Sequence, residues 1–205
     1  MRNPIQMVIE SRISVEQFKP DCPLPDSILQ ALVAQACCAP SAYNFQNWRF
    51  IAVRSEAAKR RLHAQAYKQT KVLDASACFI VCGTLRPHLQ LARHLAPSVQ
   101  AGLLHAQKAQ AWVDLASHSH GHDLGMQRDE AIRSAALAGM TLMLAAEGMG
   151  LSSCAMTGFD AAGVAAAFAL GEDDVPALLV AVGQSAEQRG RQKVRRDVAD
   201  VLEMA

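Results

Sequence analysis

Cations crowd the end of the chain: Arg191, Lys193, Arg195 and Arg196 follow closely on Arg189. Guanidinium and ammonium groups satisfy a phosphate dianion directly through charge-assisted hydrogen bonds. Near the start, Arg12-Ile13-Ser14 sets a cation and a hydroxyl two residues apart, a pair that could hold phosphate or simply open a helix. A basic tail, equally, can be a solvated face. A different chemistry is offered by Pro40-Ser41-Ala42-Tyr43-Asn44-Phe45-Gln46-Asn47-Trp48, where hydrogen-bonding and apolar residues alternate. Such a mixture at the junction of two elements suits ligand contact, and it also suits a plain connection with Tyr43 and Phe45 as core plugs.

Other patterns point less far. In His118-Ser119-His120-Gly121-His122, a helix would put His118 and His122 on one face, as a two-histidine metal site needs. Gly121 and the two serines favour a solvated loop instead. Adjacent Cys37 and Cys38 diverge on a helix, Cys37 is expected in the core, and no catalytic thiol is expected there. The chain has no GxGxxG after a strand, and no Walker loop, HExxH or GxSxG element.

The elements that must position these residues are legible in outline. Ile28, Leu29, Leu32, Val33 and Ala36 repeat at helical spacing, so a helix is expected over Asp26 to Cys38 with Asp26 as its cap. Arg49 to Arg54 reads as a strand, and Ser55 caps a helix running to about Ala66. Ala77 to Gly83 and Pro176 to Val182 are short apolar runs of the kind that form central strands covered on both faces. Between Pro87 and Gln127 the pattern is irregular, helical in pieces with a polar break at Ser117 to Gly125. Asp129 to Gly148 is the strongest helix, rich in small residues that let another backbone come close. After a turn containing Gly148 and Gly150 the chain runs through Leu151 to Thr157 and Gly158, and a helix over Asp160 to Leu170 follows. These elements give one α+β domain over residues 1–205.

Composition narrows the class. With 205 residues and 51% hydrophobic residues the chain can bury one real core. A formal charge of +1 gives no electrostatic reason to expect a nucleic-acid or membrane partner. Ser134 to Ala146, the most apolar stretch, falls short of the roughly 20 residues that span a bilayer. No signal pattern opens the chain, and the six cysteines read as small hydrophobes rather than a disulfide framework, so the expected location is cytoplasmic.

Taken together, the segments resemble the FMN-dependent nitroreductase family in order along nearly the whole chain. The resemblance is carried by Arg12, Ser14 and Phe18, then by Ala39, Pro40, Ser41, Asn44, Gln46 and Trp48. Lys71-Val72-Leu73-Asp74-Ala75-Ser76, Gly158-Phe159-Asp160 and Lys193-x-Arg195 continue it. It implies a three-layer α+β fold, with a central, mixed but mainly antiparallel sheet flanked by helices, in an intertwined homodimer. The tail, from about residue 187, would reach over the partner. FMN is the implied cofactor, with NAD(P)H as donor and a nitroaromatic, quinone or similar organic molecule as acceptor in a ping-pong cycle. No side chain is implied as nucleophile.

Residue by residue, the resemblance implies that Arg12, Ser14, Lys193 and Arg195 hold the FMN phosphate, with Ile13 between them. Lys71 would lie near the pyrimidine edge of the flavin. Ala155, Met156, Thr157 and Gly158 would run along one face and offer a backbone N–H to N5. Pro40, Ser41, Ala42 and Asn44 would come from the partner subunit, and the segment from Pro87 to Gln127, Trp112 included, would shape the acceptor side. Two residues of the implied site depart in charge. Glu16 stands where the family has a second cation, and Lys68 where many relatives have Asn, which suggests that Glu16 and Lys68 pair. Thr157 and Ala155 replace a Glu and a Pro found in one branch and bear on acceptor and nicotinamide preference. The same scaffold serves enal and enone reductases, and a flavin-binding or sensing protein with little turnover is the reading that Glu16 favours.

Overall fold

The computed structural model describes residues 3–188 and 190–205; Arg189 of the basic tail lies outside them. The architecture follows from two strands too apolar to face water. β2 (Ala77–Thr84) is buried at every position but the last, and β4 (Asp174–Gly183) is buried from Leu178 onward. They pair antiparallel at the centre of a four-stranded sheet of order β1-β2-β4-β3, with β1 (Trp48–Val53) and β3 (Ser152–Met156) also paired antiparallel.

Alternation along the strands sends side chains to two cores. Phe79, Val81, Val180 and Val182 face α2 (Asp26–Ala36) and α7 (Leu124–Gly148). Cys78, Ile80, Leu179 and Ala181 face α3 (Glu56–Gln65), the single turn α4 (Lys71–Asp74) and α8 (Ala161–Ala167). The result is helix, sheet and helix in three layers. A third cluster stands apart: α5 (Leu91–Gln100) and α6 (Ala106–His120) pack Leu91, Leu95 and Ala116 on Phe45, with Tyr43 and Trp112 against them. A short α1 (Pro4–Ser11), capped by Asn3, precedes all of this and leaves Ile5, Met7 and Ile9 exposed. Among the described residues no helix is long and apolar enough to cross a membrane.

Close approach of α7 to the sheet depends on small residues. A Cβ on Gly83 would lie 2.0 Å from the carbonyl oxygen of Ala131, so only glycine fits where the helix crosses β2. Ala131, Ala135, Ala138 and Gly139 continue the buried stripe.

Several expectations need correction. Asp26 is the first helical residue and not the cap; its carboxylate pairs with Arg54. The helix stops at Ala36, which leaves both Cys37 and Cys38 exposed rather than Cys37 in the core. The polar break shrinks to Gly121–Asp123, since α6 runs to His120 and α7 starts at Leu124, capped by the Asp123 side chain on the Met126 N–H at 2.8 Å.

Candidate functional site

Ser14 and Val15 lie against the outer edge of β3, and the chain from Gln17 to Lys19 pairs with the segment that follows β4. Ser14 bridges Ser153 in parallel, the Val15 N–H donates to the Ser153 carbonyl at 3.3 Å, and Phe18 bridges Ser185. Val15 and Phe18 are buried, which pins the segment to the core. On either side of Val15, Ser14 and Glu16 are exposed, and Arg12 is half-buried. The tail returns over them: the Gln192 side-chain amide donates to the carbonyls of Ile9 at 2.9 Å and Arg12 at 3.0 Å.

Between the two segments lies a cleft of about 280 Å³, which gathers Arg12, Ile13, Ser14 and Glu16 with Lys193 and Arg195. Ser185, Glu187 and Arg191 also line it and were not singled out as binding residues from sequence; a serine and a glutamate in a loop carry no spacing signal. Among the described residues Arg12, Lys193 and Arg195 form no ion pair. The Nε of Arg12 is buried without any hydrogen-bond partner. A buried donor left unsatisfied costs roughly 1–3 kcal/mol, so this arrangement suits an anion that supplies the acceptor.

Lys71, the first residue of α4, marks the next part of the site. Its Nζ lies 2.9 Å from Glu16 Oε2 and 3.6 Å from Cys154 Sγ. The Lys71 side chain is 14% exposed and that of Glu16 65%. The hydrogen bond and charge of Lys71 hold the Glu16 carboxyl below its ordinary value. Burial alone would lower the Lys71 ammonium, but Glu16 and Cys154 outweigh it and keep it above the usual lysine range. Burial pushes the Cys154 thiol up in spite of Lys71. Lys59 fixes the turn from beneath, its Nζ donating to the carbonyls of Leu73 (3.1 Å) and Ala75.

This pairing corrects the expected one. Glu16 meets Lys71, not Lys68, which is exposed in the turn after α3 at φ 56° and lies outside the cleft. Directly after Cys154, Ala155 is exposed, Met156 is buried, and Thr157 and Gly158 are exposed. The Gln69 amide holds this turn by donating to the Gly158 carbonyl at 2.8 Å.

Pro40, Ser41, Ala42 and Asn44 sit elsewhere. Their loop is braced by the Gln46 N–H on Ser41 Oγ at 2.9 Å and by three residues at positive φ: Tyr43, Asn44 and Gln46. It enters β1 at Trp48, which pairs with Gly83, itself opposite Val175 of β4. The cleft lies at the other end of β4, where Gly183 pairs with Ser152. From Val175 to Gly183 the strand covers roughly 26 Å at about 3.3 Å per residue. The structure therefore does not bring this loop to the cleft of its own chain.

The histidine segment is also resolved differently from the loop expected. His118 and His120 are helical, and His120 is buried with its ring 5.1 Å from that of Phe45 and 6.3 Å from that of Tyr43. Among the described residues no group of three or more His, Cys, Asp or Glu could hold a metal ion.

Residues 9–184 match the sequence model of the nitroreductase family. The chain belongs to the nitroreductase family. Among curated relatives, a Thermus thermophilus protein named NADH dehydrogenase is 33% identical over 181 residues, covering 86% of this chain and 84% of its own. Among solved nitroreductase-family folds, a nitroreductase-like protein from Streptococcus mutans is 27% identical with a TM-score of 0.88, covering 100% of both chains. A protein from Exiguobacterium sibiricum, solved in complex with FMN, shares the fold at 24% identity and a TM-score of 0.90, covering 100% of this chain and 99% of that one.

Proposed function

We propose that the chain is an FMN-dependent oxidoreductase that takes reducing equivalents from NAD(P)H and delivers them to a small organic acceptor, a nitroaromatic or a quinone. The observation that carries this reading is the unpartnered Arg12 Nε in a cleft shared with Lys193 and Arg195. These residues fit the phosphate of FMN, with the Ser14 hydroxyl as a further partner; guanidinium and ammonium groups bind phosphate through charge-assisted hydrogen bonds. When bound, FMN would supply two-electron transfer between the nicotinamide and the acceptor. The chain's own residues would position it: Lys71 with an ammonium near the ring, and Ala155, Thr157 and Gly158, exposed on either side of the buried Met156, along one face.

The site is completed by a second copy of the chain. The loop bearing Pro40, Ser41, Ala42 and Asn44 lies at the far end of β4, a distance no single flavin mononucleotide bridges. A symmetric dimer brings the loop of one protomer to the cleft of its partner. Exposed apolar residues on α1 (Ile5, Met7, Ile9), on α7 (Leu137, Met140) and in the tail (Val198, Leu202) support such an association.

The test is an anaerobic titration of purified protein with NADH and then NADPH, following the flavin absorbance. Yellow protein holding about one FMN per chain, bleached rapidly by one nucleotide, is the expected result. Protein that takes up no FMN overturns the reading. Bound FMN that neither nucleotide reduces overturns the enzymatic part of it.

A further inference from the structure

We infer that Glu16 and Lys71 act on the bound flavin as a neutral pair instead of a lone cation, so that reduction is accompanied by uptake of a second proton at neutral pH. The inference rests on the FMN reading above and goes beyond it by assigning Glu16 a role in setting the redox poise of the site. Lys71 has three N–H donors. One meets Glu16 at 2.9 Å, another is directed at Cys154 Sγ at 3.6 Å, and one is left for a ligand acceptor. Lys71 can therefore donate to a cofactor without releasing Glu16.

The backbone on both sides keeps the pair together. Val15 and the Ser14–Ser153 bridge anchor the segment carrying Glu16, and Lys59 anchors the turn carrying Lys71. Among the described residues two further groups act on the pair. Lys193 from the tail favours the charged carboxylate, and Cys154 from β3 stays a neutral thiol because burial raises it. Glu16 is held ionised by Lys71, so the pair is intact at neutral pH.

The chemical consequence follows from charge balance. A hydride from NAD(P)H carries two electrons and one proton to the flavin and leaves NAD(P)⁺. The ring then carries a negative charge unless a second proton arrives from solvent. A lone ammonium stabilises that charge and favours the anion. Beside an ion pair with no net charge, the anion gains less, and the second proton is taken up to a higher pH. The potential is then lower than Lys71 alone would set, and its pH dependence retains the two-proton slope further into the alkaline range.

The experiment is spectroelectrochemical titration of bound FMN across roughly pH 6 to 9 in the wild type, Glu16→Gln and Glu16→Asp, with FMN affinity measured in parallel. Glu16→Gln should favour reduced over oxidised flavin by about tenfold, which for a two-electron couple is about 30 mV upward. The break between two-proton and one-proton slopes should move to lower pH. Glu16→Asp, which keeps the charge, should stay near the wild type. Glu16→Gln with bound FMN but unchanged potential and break point overturns the inference and leaves the FMN reading standing. Wild-type protein that binds no FMN overturns both.

Discussion

Replacing Arg12 with Met separates the ligand's need for this residue from the fold's. Met preserves much of the apolar volume of the arginine stem while removing the guanidinium. The Nε of Arg12 is buried with no partner, and among the described residues its guanidinium joins no ion pair. The cofactor-free protein should therefore lose nothing by the change and can gain, since an unsatisfied buried donor costs roughly 1–3 kcal/mol. A gain of about 1 kcal/mol corresponds to roughly 2–4 °C in Tm for a chain of this size. With FMN the sign reverses. A hydrogen bond to a charged group contributes about 1.5–3 kcal/mol, so the dissociation constant should rise roughly ten- to hundredfold. Thermal unfolding of flavin-stripped protein and fluorescence titration with FMN read the two effects separately. Unchanged FMN affinity would remove Arg12 from the phosphate site. A flavin-stripped Arg12→Met protein destabilised by more than about 1 kcal/mol would mean that the fold already supplies the guanidinium with an acceptor.

Three further outcomes are expected. Gly83→Ala pushes a Cβ against the Ala131 backbone, which cannot yield as a side-chain tip can, and should cost about 3 kcal/mol. Its Tm should fall by roughly 6–12 °C; a fall of under about 3 °C would contradict the close crossing of α7 over β2. Glu16 has a depressed folded pKa, so its ion pair stabilises the protein fully above the ordinary value of 4.5 and less as pH falls through the lower folded value. The acid limb of a stability-against-pH curve should then be shallower in Glu16→Gln, by a small amount because Glu16 is largely exposed; a steeper limb would reverse the assignment. Iodoacetamide at neutral pH should modify the exposed Cys37 and Cys38 in the folded protein and spare Cys78 and Cys82, whose thiols burial pushes up to about 12. Peptide mapping that found Cys78 labelled without unfolding would count against its buried position in β2.

The sheet was legible because its central strands are written in composition. ACFIVCG and PALLVAV leave no polar side to face water, and both became strands covered on two faces. The region around His120 was not legible. Its polar residues favour a break, yet the His120 ring is buried beside Phe45 and Tyr43, and that tertiary contact carries α6 through the serines. The residues of the cleft were legible as types: Arg12, Ser14, Lys193 and Arg195 do converge. Their partners were not. Whether Glu16 meets Lys68 or Lys71 depends on the turn after α3, where Lys68 adopts positive φ and is exposed, and no spacing in the chain encodes that. Gln192, which ties the tail to Ile9 and Arg12, is one glutamine among cations and gives no signal at all.

The opposition of loop and cleft along β4 has a genetic consequence. In the proposed dimer each site takes its cleft from one protomer and its loop from the other. A chain damaged at Arg12 and a chain damaged at Ser41 or Asn44 are each inactive alone. Mixed in one dimer, their defects fall together on one site and leave the second site whole. Two defective alleles could then complement each other within a single cell and restore half of the sites in every mixed pair. The opposed ends of one strand thus make two lesions in the same polypeptide behave as if they lay in different genes.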